Sequence, residues 1–322
     1  GTAVADGRPV VVGSGPAGMF CALMLAENGY RPLLIERGAP LEERVRTVGD
    51  FFSGGALDTE TNVMFGAGGA GTFSDGKLVT RVNDPYTLYV LRCLVEFGAP
   101  KEILWQAKPH VGTDLLRGVV SRLLARISEC GGEVVYHCRL DSITQSGNEV
   151  RLSTSNGEIK CGAVVLAIGH SARDTYTFLL RGGFALEPKP FSVGARIEHK
   201  ADDIDAALYG RFAGDSRLGR AEYALSDTKS DRGVYTFCMC PGGEVIAAAS
   251  EAGGVVVNGM SNHARRGENS NSAVLASVFP ADYGALELAR RRLIFEELFL
   301  LELGMMRLKK AENGNFDEEW AI

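Results

Sequence analysis

The chain has 322 residues, a formal net charge of −6 and 45% hydrophobic residues. This length is enough for about two domains, and the composition is that of an ordinary globular protein. The negative charge gives no general electrostatic reason to bind nucleic acid or an anionic membrane, and no run of about 18 apolar residues predicts a membrane span. Seven cysteines without a disulfide framework favour a reducing cytoplasm. The start at Gly1 is neither an initiator Met nor a signal peptide, so a fragment is expected.

A strand, a glycine-rich turn, a helix and a second strand follow one another without a gap. Val10 to Val12 read as a buried strand, Met19 to Asn28 as a helix, and Leu33 to Ile35 as a second strand that ends on Glu36. The turn between the first strand and the helix consists of Gly13, Ser14, Gly15, Pro16, Ala17 and Gly18. Its glycines allow a tight turn, the approach of a pyrophosphate to the backbone and close packing of the helix. The pattern predicts a dinucleotide-binding unit with phosphates at the helix N-terminus.

Glu36 follows Gly18 by 18 residues and is placed to accept a hydrogen bond from a ribose hydroxyl. Its charge argues against the 2′-phosphate of NADP at this site.

Three patterns favour FAD over NAD. The spacing of Gly18, Ala22, Ala26 and Gly29 is common in helices that bind flavin dinucleotides, and 66–78 supplies a second glycine-rich backbone. The third pattern is a predicted meander followed by a buried strand over 163–169 that returns to the first sheet next to the nucleotide. The meander strands are predicted at 133–138, 142–145, 149–154 and 158–161.

The remaining elements complete an α/β fold. It consists of a Rossmann-like two-part FAD-binding domain (a parallel sheet plus a β-meander), a second mixed β-rich substrate domain and a C-terminal amphipathic helix. The FAD-binding domain is assigned to 1–175, with 41–80 as glycine-rich cofactor-covering loops, the substrate or cap domain to 176–284, and the C-terminal helix and polar tail to 285–322. Further helices are predicted at 42–48, 86–98, 113–130 and 285–310, and further strands at 191–197, 234–240 and 244–250.

Cys238 and Cys240 flank Met239 near the end of one predicted strand. One intervening residue is not the two-residue spacing of a thioredoxin-like redox motif. We therefore interpret them first as strand positions, with a redox or metal role as the alternative. No other His or Cys spacing predicts a metal site.

The chain resembles a largely uncharacterised family of bacterial FAD-dependent dehydrogenases, distantly similar to geranylgeranyl-reductase and glutathione-reductase-type flavoproteins. The resemblance covers roughly residues 8 to 283 and implies a flavin, without identifying a substrate. The segments that carry it are 62–66, 69–78, 108–114, 167–174, 189–199, 236–243 and 269–272.

Two departures from that family bear on activity. An extra N-terminal domain and a C-terminal glycine-rich segment that returns to the flavin are not found, which implies a truncated chain. Residues 285–299 instead resemble the C-terminal region of RecG-type DNA helicases, which suggests a junction near Tyr283 and Gly284. The alternative is an ordinary charged amphipathic helix.

Three residues are candidates for catalysis. Lys77 lies in the glycine-rich segment where a cation would stabilise reduced flavin, His170 could exchange a proton, and Arg196 could clamp a substrate carboxylate or phosphate. The alternatives are a solvated lysine, a histidine bonded to backbone and a cross-strand ion pair. The predicted cofactor-binding residues are Gly13, Ser14, Gly15, Pro16, Ala17, Gly18, Glu36, Arg37, Arg44, Gly69, Gly71, Thr72, Ser74, Asp75, Gly76, Lys77, Leu140 and Gly169.

Together these features predict a cytoplasmic FAD-dependent oxidoreductase that transfers a hydride between a small organic substrate and flavin. NAD(P)H is a candidate electron donor without a dedicated site, no membrane partner is expected, and the oligomeric state is left open. One alternative is an FAD-binding but catalytically incomplete fragment. The other is a nucleic-acid-associated module that acts through the C-terminal helix, against which the acidic character of the chain argues.

Overall fold

The structure is a computed structural model that describes residues 7–79, 84–147, 149–227, 229 and 233–279. Its contacts divide the chain into two compact units. The first unit contains the described residues up to Leu186 together with Arg196–Ala224 and Cys238–Ser272. The second contains Glu187–Ala195, the described part of 225–237 and the described residues from Ala273 onward. The first unit therefore includes segments on both sides of residue 175, where the sequence placed a domain boundary.

The helices and strands are numbered separately in chain order. The helices are α1 (Pro16–Glu27), α2 (Leu41–Phe52), α3 (Pro85–Glu96), α4 (Thr113–Glu129), α5 (Arg173–Arg181) and α6 (Ala201–Tyr209). The strands are β1 (Val10–Val12), β2 (Leu33–Ile35), β3 (Glu133–Val135), β4 (Leu140–Ser146), β5 (Glu149–Thr154), β6 (Gly157–Cys161), β7 (Val164–Leu166), β8 (Phe191–Lys200), β9 (Ser226–Asp227), β10 (Val234–Cys240), β11 (Glu244–Ala247), β12 (Val257–Met260) and β13 (Asn269–Val278).

A parallel sheet with the order β3-β2-β1-β7 organises the first unit. Val10 pairs with Leu33 on one side and with Val164 on the other. The predicted Rossmann-like α/β class is confirmed, and the strand predicted over 163–169 does return to the first sheet. The prediction that 133–138 opens the meander was wrong, because β3 pairs in parallel with β2. Physically, β3 follows the crossover helix α4, and such a connection joins parallel strands of one sheet.

The two faces of the sheet bury different layers, as the alternation of side chains along a strand requires. Val11 and Leu34 are fully buried in a core shared with α1, α3 and α4. Val10, Val12 and Ile35 lie in a second core formed with the antiparallel sheet β4-β5-β6. The predicted meander thus consists of β4, β5 and β6, and it packs on the face of the parallel sheet opposite the helices.

The remaining strands form the sheets β8-β13-β10-β9 and β11-β12. Strand β10 has the predicted bounds, whereas α5, α6 and β12 were not predicted. The predicted helix over 285–310 lies outside the described residues. Within the described part of the chain, no helix combines the length and hydrophobicity that crossing a bilayer requires.

Candidate dinucleotide-binding site

A cavity of about 370 Å³ opens where β1 and β7 end, which is where open parallel sheets bind ligands. Its volume lies within the usual range for ligand pockets. Eleven predicted site residues line it, from the turn after β1, the end of β2, the glycine-rich loop, the start of β4 and the segment after β7. They are Gly13, Gly15, Pro16, Ala17, Glu36, Arg37, Gly69, Gly71, Leu140, Gly169 and His170.

Glycines are sterically required at the start of α1. A Cβ on Gly18 would lie 1.8 Å from the carbonyl oxygen of Gly13, so only glycine lets α1 approach β1 this closely. Gly13 itself has a φ of 101°, in the left-handed region that favours glycine. Gly15 is the N-cap of α1, and no side chain caps the helix there. The first amides of α1 are thus left for a ligand of the adjoining cavity, in the field of the helix dipole.

Gly15 and Gly69 bring two glycine-rich segments together. A Cβ on Gly15 would meet nothing nearer than the Cα of Gly69, at 3.9 Å, whereas a Cβ on Gly69 would lie only 2.7 Å from the Cα of Gly15. Both residues line the cavity. The missing side chains therefore keep a narrow space open beside the first turn of α1.

Glu36 borders the cavity, but its buried carboxylate already accepts four hydrogen bonds. Oε2 accepts from the backbone N–H and the hydroxyl of Ser14, each at 2.8 Å. Oε1 accepts from the N–H groups of Gly38 at 3.0 Å and Gly66 at 2.9 Å. Since a carboxylate offers about four acceptor positions, Glu36 ties the turn after β1 to the glycine-rich loop. Its predicted bond to a ribose remains a prediction.

Arg37 lies at the rim of the cavity and is held by two carboxylates. Its guanidinium donates to Glu60 at 3.0 and 3.1 Å and to Asp174 at 3.0 and 2.9 Å. It also lies over the ring of Phe65, 4.2 Å from the centroid. These partners fix the side chain, and they neutralise the charge that it would present to a phosphate.

Arg44 lies in a different place from the one the sequence suggested. The residue is fully buried and does not line the cavity. Its guanidinium donates to backbone carbonyl oxygens only, and burial lowers its pKa to about 10. Arg44 therefore holds the glycine-rich loop in shape. The accepting carbonyls are those of Asn62, Val63, Gly66, Ala67 and Gly69.

The remaining predicted residues of the glycine-rich loop stabilise its conformation. Thr72 donates to the carbonyl oxygen of Ala67 at 3.3 Å. Ser74 donates to Gly71 at 2.8 Å and accepts from the N–H of Gly76 at 3.1 Å. Like Ser14 and Gly18, Thr72, Ser74 and Gly76 do not line the cavity.

Lys77 and Arg196 belong to a polar cluster of the first unit that also contains Asp75, Asn271 and Arg265, whereas His170 does not. Lys77 Nζ lies 3.3 Å from a carboxylate oxygen of Asp75, without the geometry of a hydrogen bond. Arg196 Nη1 donates to the carbonyl oxygen of Cys238 at 3.0 Å and to Asn271 Oδ1 at 2.7 Å. His170 is exposed at the cavity. The predicted catalytic residues are thus divided between the two places.

Asp75 is the buried anion of that polar cluster, with 1% of its surface exposed. It accepts hydrogen bonds from Ser261 and from both Nε and Nη2 of Arg265. Burial alone would raise the pKa of Asp75. The charges of Lys77 and Arg265 and these hydrogen bonds lower it by more, so the net shift is downward.

Several residues that line the cavity were not predicted. The largest group follows β7 and runs into α5: Ser171, Ala172, Thr175 and Tyr176. The hydroxyl of Tyr176 donates to the carbonyl oxygen of Gly169 at 2.7 Å. The sequence does contain a signal that could have identified this segment: a strand that ends in glycine and is followed by the start of a helix.

Two family models match the chain. Residues 11–73 match the NAD(P)-binding Rossmann-like domain, and residues 190–297 match the C-terminal domain-like model of FAD-dependent proteins. An uncharacterized protein of Clostridium beijerinckii is 49% identical over 286 residues, which are 88% of this chain and 54% of that protein. The chain thus spans about half the length of this relative.

The matches to solved structures have a much lower sequence identity. Halogenase PltM aligns with 86% of this chain and 52% of its own, at 14% identity and a TM-score of 0.41. L-Amino acid deaminase from Proteus vulgaris aligns over 62% of this chain and 60% of its own, at 13% identity and a TM-score of 0.37. Because both TM-scores are below 0.5, these likenesses do not bear on the function of this chain.

The family models assign the chain a Rossmann-type nucleotide-binding domain and FAD as its cofactor. The cavity fits such a group, because the start of α1 presents backbone amides with no capping side chain. In addition, Gly15 and Gly69 leave open the space that side chains would fill.

Proposed function

We propose that this chain is the FAD-binding part of an oxidoreductase that transfers a hydride between a small organic substrate and the flavin. The observation that carries the proposal is the cavity at the ends of β1 and β7, where Gly13, Gly15 and Gly69 expose backbone. When bound, FAD supplies the hydride chemistry, while the protein binds and orients it. NAD(P)H is proposed as the electron donor.

The proposed diphosphate site is the N-terminal turn of α1. The amides there are not capped by a side chain, and a helix N-terminus stabilises an adjacent anion by roughly 0.3–2 kcal/mol. The glycine at position 15 lets the phosphates reach these amides. A valine there would place two methyl groups toward the cavity.

The proposed ribose site is Glu36, and Ser14 is the residue that can make room for the sugar. A hydroxyl donor can rotate, whereas backbone N–H groups cannot. The Ser14 hydroxyl has a second acceptor within reach, the carbonyl oxygen of Gly66 at 3.5 Å. If the Ser14 side chain changes rotamer, so that its oxygen moves away from Glu36, Oε2 becomes free to accept from a ribose hydroxyl. A 2′-phosphate in the same place would face the carboxylate, which disfavours NADP there.

Two variants separate this ribose role from a structural role of Glu36. Glu36→Ala should weaken FAD binding by about 1.5–3 kcal/mol, as expected for a hydrogen bond to a charged group. Ser14→Ala should leave the FAD Kd within about twofold (a cost below ~0.5 kcal/mol), because the ribose replaces the hydroxyl that is lost. Kd values from flavin fluorescence titration would show both. Equal weakening by the two variants would place the ribose elsewhere.

His170 and Lys77 are the proposed catalytic residues, in different places. His170 lies at the cavity, where it can exchange a proton with a bound molecule. Lys77 is proposed as the cation that stabilises reduced flavin, although Asp75 shares its charge. Lys77→Met should therefore lower the flavin reduction potential, and an unchanged potential would remove Lys77 from this role.

The absorbance spectrum of the purified protein tests the main proposal. We expect a yellow protein whose flavin is bleached by dithionite and by a reduced nicotinamide. Gly15→Val should abolish flavin retention, whereas Gly49→Val, on α2 with no atom within 4 Å of the new Cβ, should retain it. A folded, colourless protein that takes up no FAD would refute the proposal. A yellow protein that no nicotinamide reduces would instead indicate the catalytically incomplete fragment.

A further inference from the structure

Cys238 and Cys240 end strand β10, where the backbone leaves the extended conformation. Cys238 has a φ of 49°, which residues other than glycine rarely adopt, and such outliers concentrate at functional sites. At about 3.3 Å per residue, Cα atoms two positions apart on a strand are roughly 6.6 Å apart. Disulfides form at Cα separations up to about 6.8 Å. Cys240 Sγ also lies 3.5 Å from the carbonyl oxygen of Cys238, so the side chain of Cys240 is turned toward residue 238.

The electrostatic surroundings distinguish Cys238 from the structural cysteines. Burial raises the pKa of Cys93, Cys138 and Cys161. The pKa of Cys238 is instead lowered to about 6 by a hydrogen bond from Cys240 and by the charges of Lys77 and Arg196, against the effect of burial. The pKa of Cys240 is raised by that same hydrogen bond and by burial. The two pKa shifts run in opposite directions, so Cys238 is the thiol of the pair that deprotonates more easily.

The packing around Gly259 brings the cation and the thiol together. A Cβ at this position would lie 2.5 Å from Arg196 Nη1 and 2.6 Å from Cys240 Sγ. It would also lie 2.5 Å from Oδ1 of Asn271, a residue with no exposed surface. Only glycine permits this convergence.

Two buried donors beside the thiols have no hydrogen-bond acceptor among the described residues: Asn271 Nδ2 and Lys77 Nζ. A buried donor without an acceptor costs about 1–3 kcal/mol. Lys77 Nζ has the Asp75 carboxylate 3.3 Å away as an ion-pair partner, so Asn271 Nδ2 is the donor of the two that is left for an anion that forms during reaction, such as a thiolate. Burial of two small apolar thiols alone would require neither donor.

We propose that Cys238 and Cys240 form a redox-active dithiol that reduces small-molecule disulfides, with Cys238 as the attacking thiolate and Cys240 as the resolving thiol. Neither cysteine lines the cavity proposed for the dinucleotide. Cys238 is half-buried, so a substrate disulfide can reach its sulfur, whereas Cys240 is fully buried. That division suits a first thiol that meets the substrate and a second that meets only its neighbour.

The reaction proceeds by two exchanges. The Cys238 thiolate attacks one sulfur of the substrate disulfide, whose S–S bond breaks, and a mixed disulfide forms while the first thiolate leaves. Cys240 then gives up its proton to that thiolate and attacks Cys238 Sγ, and the second substrate thiolate leaves. Two electrons pass from the dithiol to the substrate, and the products are the Cys238–Cys240 disulfide, one thiol and one thiolate.

Mass spectrometry of the whole, reduced chain with 2-hydroxyethyl disulfide as the probe tests the proposal. The wild type should lose two hydrogen atoms, mapped to a Cys238–Cys240 disulfide. Cys240→Ser should instead trap one mercaptoethanol adduct on Cys238, and Cys238→Ser should trap none on Cys240. Cys130→Ser, at a half-buried cysteine that ends α4, should behave as the wild type does.

The pH dependence of iodoacetamide labelling gives a second readout. The rate at Cys238 should reach half its maximum near pH 6, well below the pH of about 8.5 expected of an ordinary cysteine. Arg196→Gln should move this midpoint to higher pH. Labelling of Cys130 in the same sample, and the unfolding midpoint of each variant, report whether the fold is intact.

Neither readout requires bound flavin, so each stands apart from the proposed oxidoreductase activity. The dithiol is refuted if folded Cys240→Ser traps no adduct, or if Cys238 and Cys130 form adducts at equal rates. It is equally refuted if the wild type forms no internal disulfide while the mixed disulfide on Cys238 persists.

Discussion

Arg44 was predicted from its basic side chain to bind the cofactor, but the structure buries it away from the cavity. The sequence shows a basic residue soon after Glu36, which favours contact with a pyrophosphate. The sequence does not show that the loop over 62–69 turns its carbonyl groups inward and needs a donor. A guanidinium has five N–H groups in a fixed fork, and the five carbonyls that Arg44 meets belong to that loop.

Arg44→Met should lower the free energy of unfolding by about 3–5 kcal/mol, the usual cost of breaking a buried charged network. The carbonyl groups that lose their donor stay buried, and methionine offers them nothing. Arg46→Met is the matched control, since Arg46 is exposed on the same helix and its removal should cost little. Urea unfolding measures both variants. Similar losses would mean that the loop does not depend on Arg44.

Asp75 should make the fold sensitive to acid. Its pKa is lowered in the folded chain by Lys77 and Arg265 despite burial. A carboxylate with a lowered pKa contributes stability above its unfolded pKa of about 3.9, and this contribution is lost as the pH falls through the lower, folded value.

Asp75→Asn should therefore destabilise the chain by about 3–5 kcal/mol at pH 7, because Lys77 loses its carboxylate and the buried Arg265 keeps only Glu222 as an anionic partner. Below pH ~4 the difference from the wild type should narrow, since the wild-type carboxylate then loses its charge. Urea titrations at several pH values measure this, with Asp50→Asn, at an exposed position of α2, as the control. A difference that stays constant down to pH ~2 would mean that the charge of Asp75 is not what matters.

At the level of elements, local sequence patterns predicted individual helices and strands, but they did not predict which strands pair with each other. The turn of Gly13 to Gly18 and the apolar spacing of α4 predicted a strand and two helices, which the structure contains. Strand β3 was assigned to the wrong sheet, because a short apolar run does not show which strand it will pair with. That choice depends on the crossover through α4 and on the free edge of β2, both of which are tertiary features.

Sequence patterns likewise identified single residues of the candidate site, but they did not show which residues lie together in the folded chain. Gly15, Gly69 and Gly169 could be identified because glycine has a geometric meaning wherever a ligand approaches the backbone. The grouping of Lys77 with Arg196 and Cys238 could not, because 119 residues separate Lys77 from Arg196 and no local pattern relates them. Sequence reasoning therefore named chemically suitable residues without showing which of them share a site.

Two helical glycines should respond in opposite ways to the same substitution. Gly18→Ala on α1 places a Cβ 1.8 Å from the carbonyl oxygen of Gly13, and the forced separation of α1 from β1 should cost about 1–3 kcal/mol. Gly49→Ala on α2 meets no atom within 4 Å and should stabilise the chain by about 0.5–1 kcal/mol through helix propensity. Urea unfolding of both variants checks the signs. Equal effects would mean that α1 has room to move.

On the scale of the whole molecule, the match to the FAD-dependent C-terminal model extends to residue 297. It therefore includes 285–297, the first part of the segment that resembles RecG-type helicases. The resemblance to a helicase remains a proposal, which predicts salt-sensitive DNA binding that is lost when 285–322 are deleted.

Cofactor binding should stabilise the whole chain in a way that shows which part of FAD is held. At free FAD of about 100 times its Kd, the free energy of unfolding should rise by about 2.7 kcal/mol. The proposed diphosphate site at α1 and the proposed ribose acceptor Glu36 both bind the part of FAD that ADP also contains. ADP should therefore stabilise the chain and compete with FAD, whereas FMN should do neither. Thermal unfolding with each ligand measures this, and the same measurement on Gly15→Val is the control. Stabilisation by FMN but not by ADP would mean that the site at α1 and Glu36 holds the flavin end of FAD and not the adenosine end.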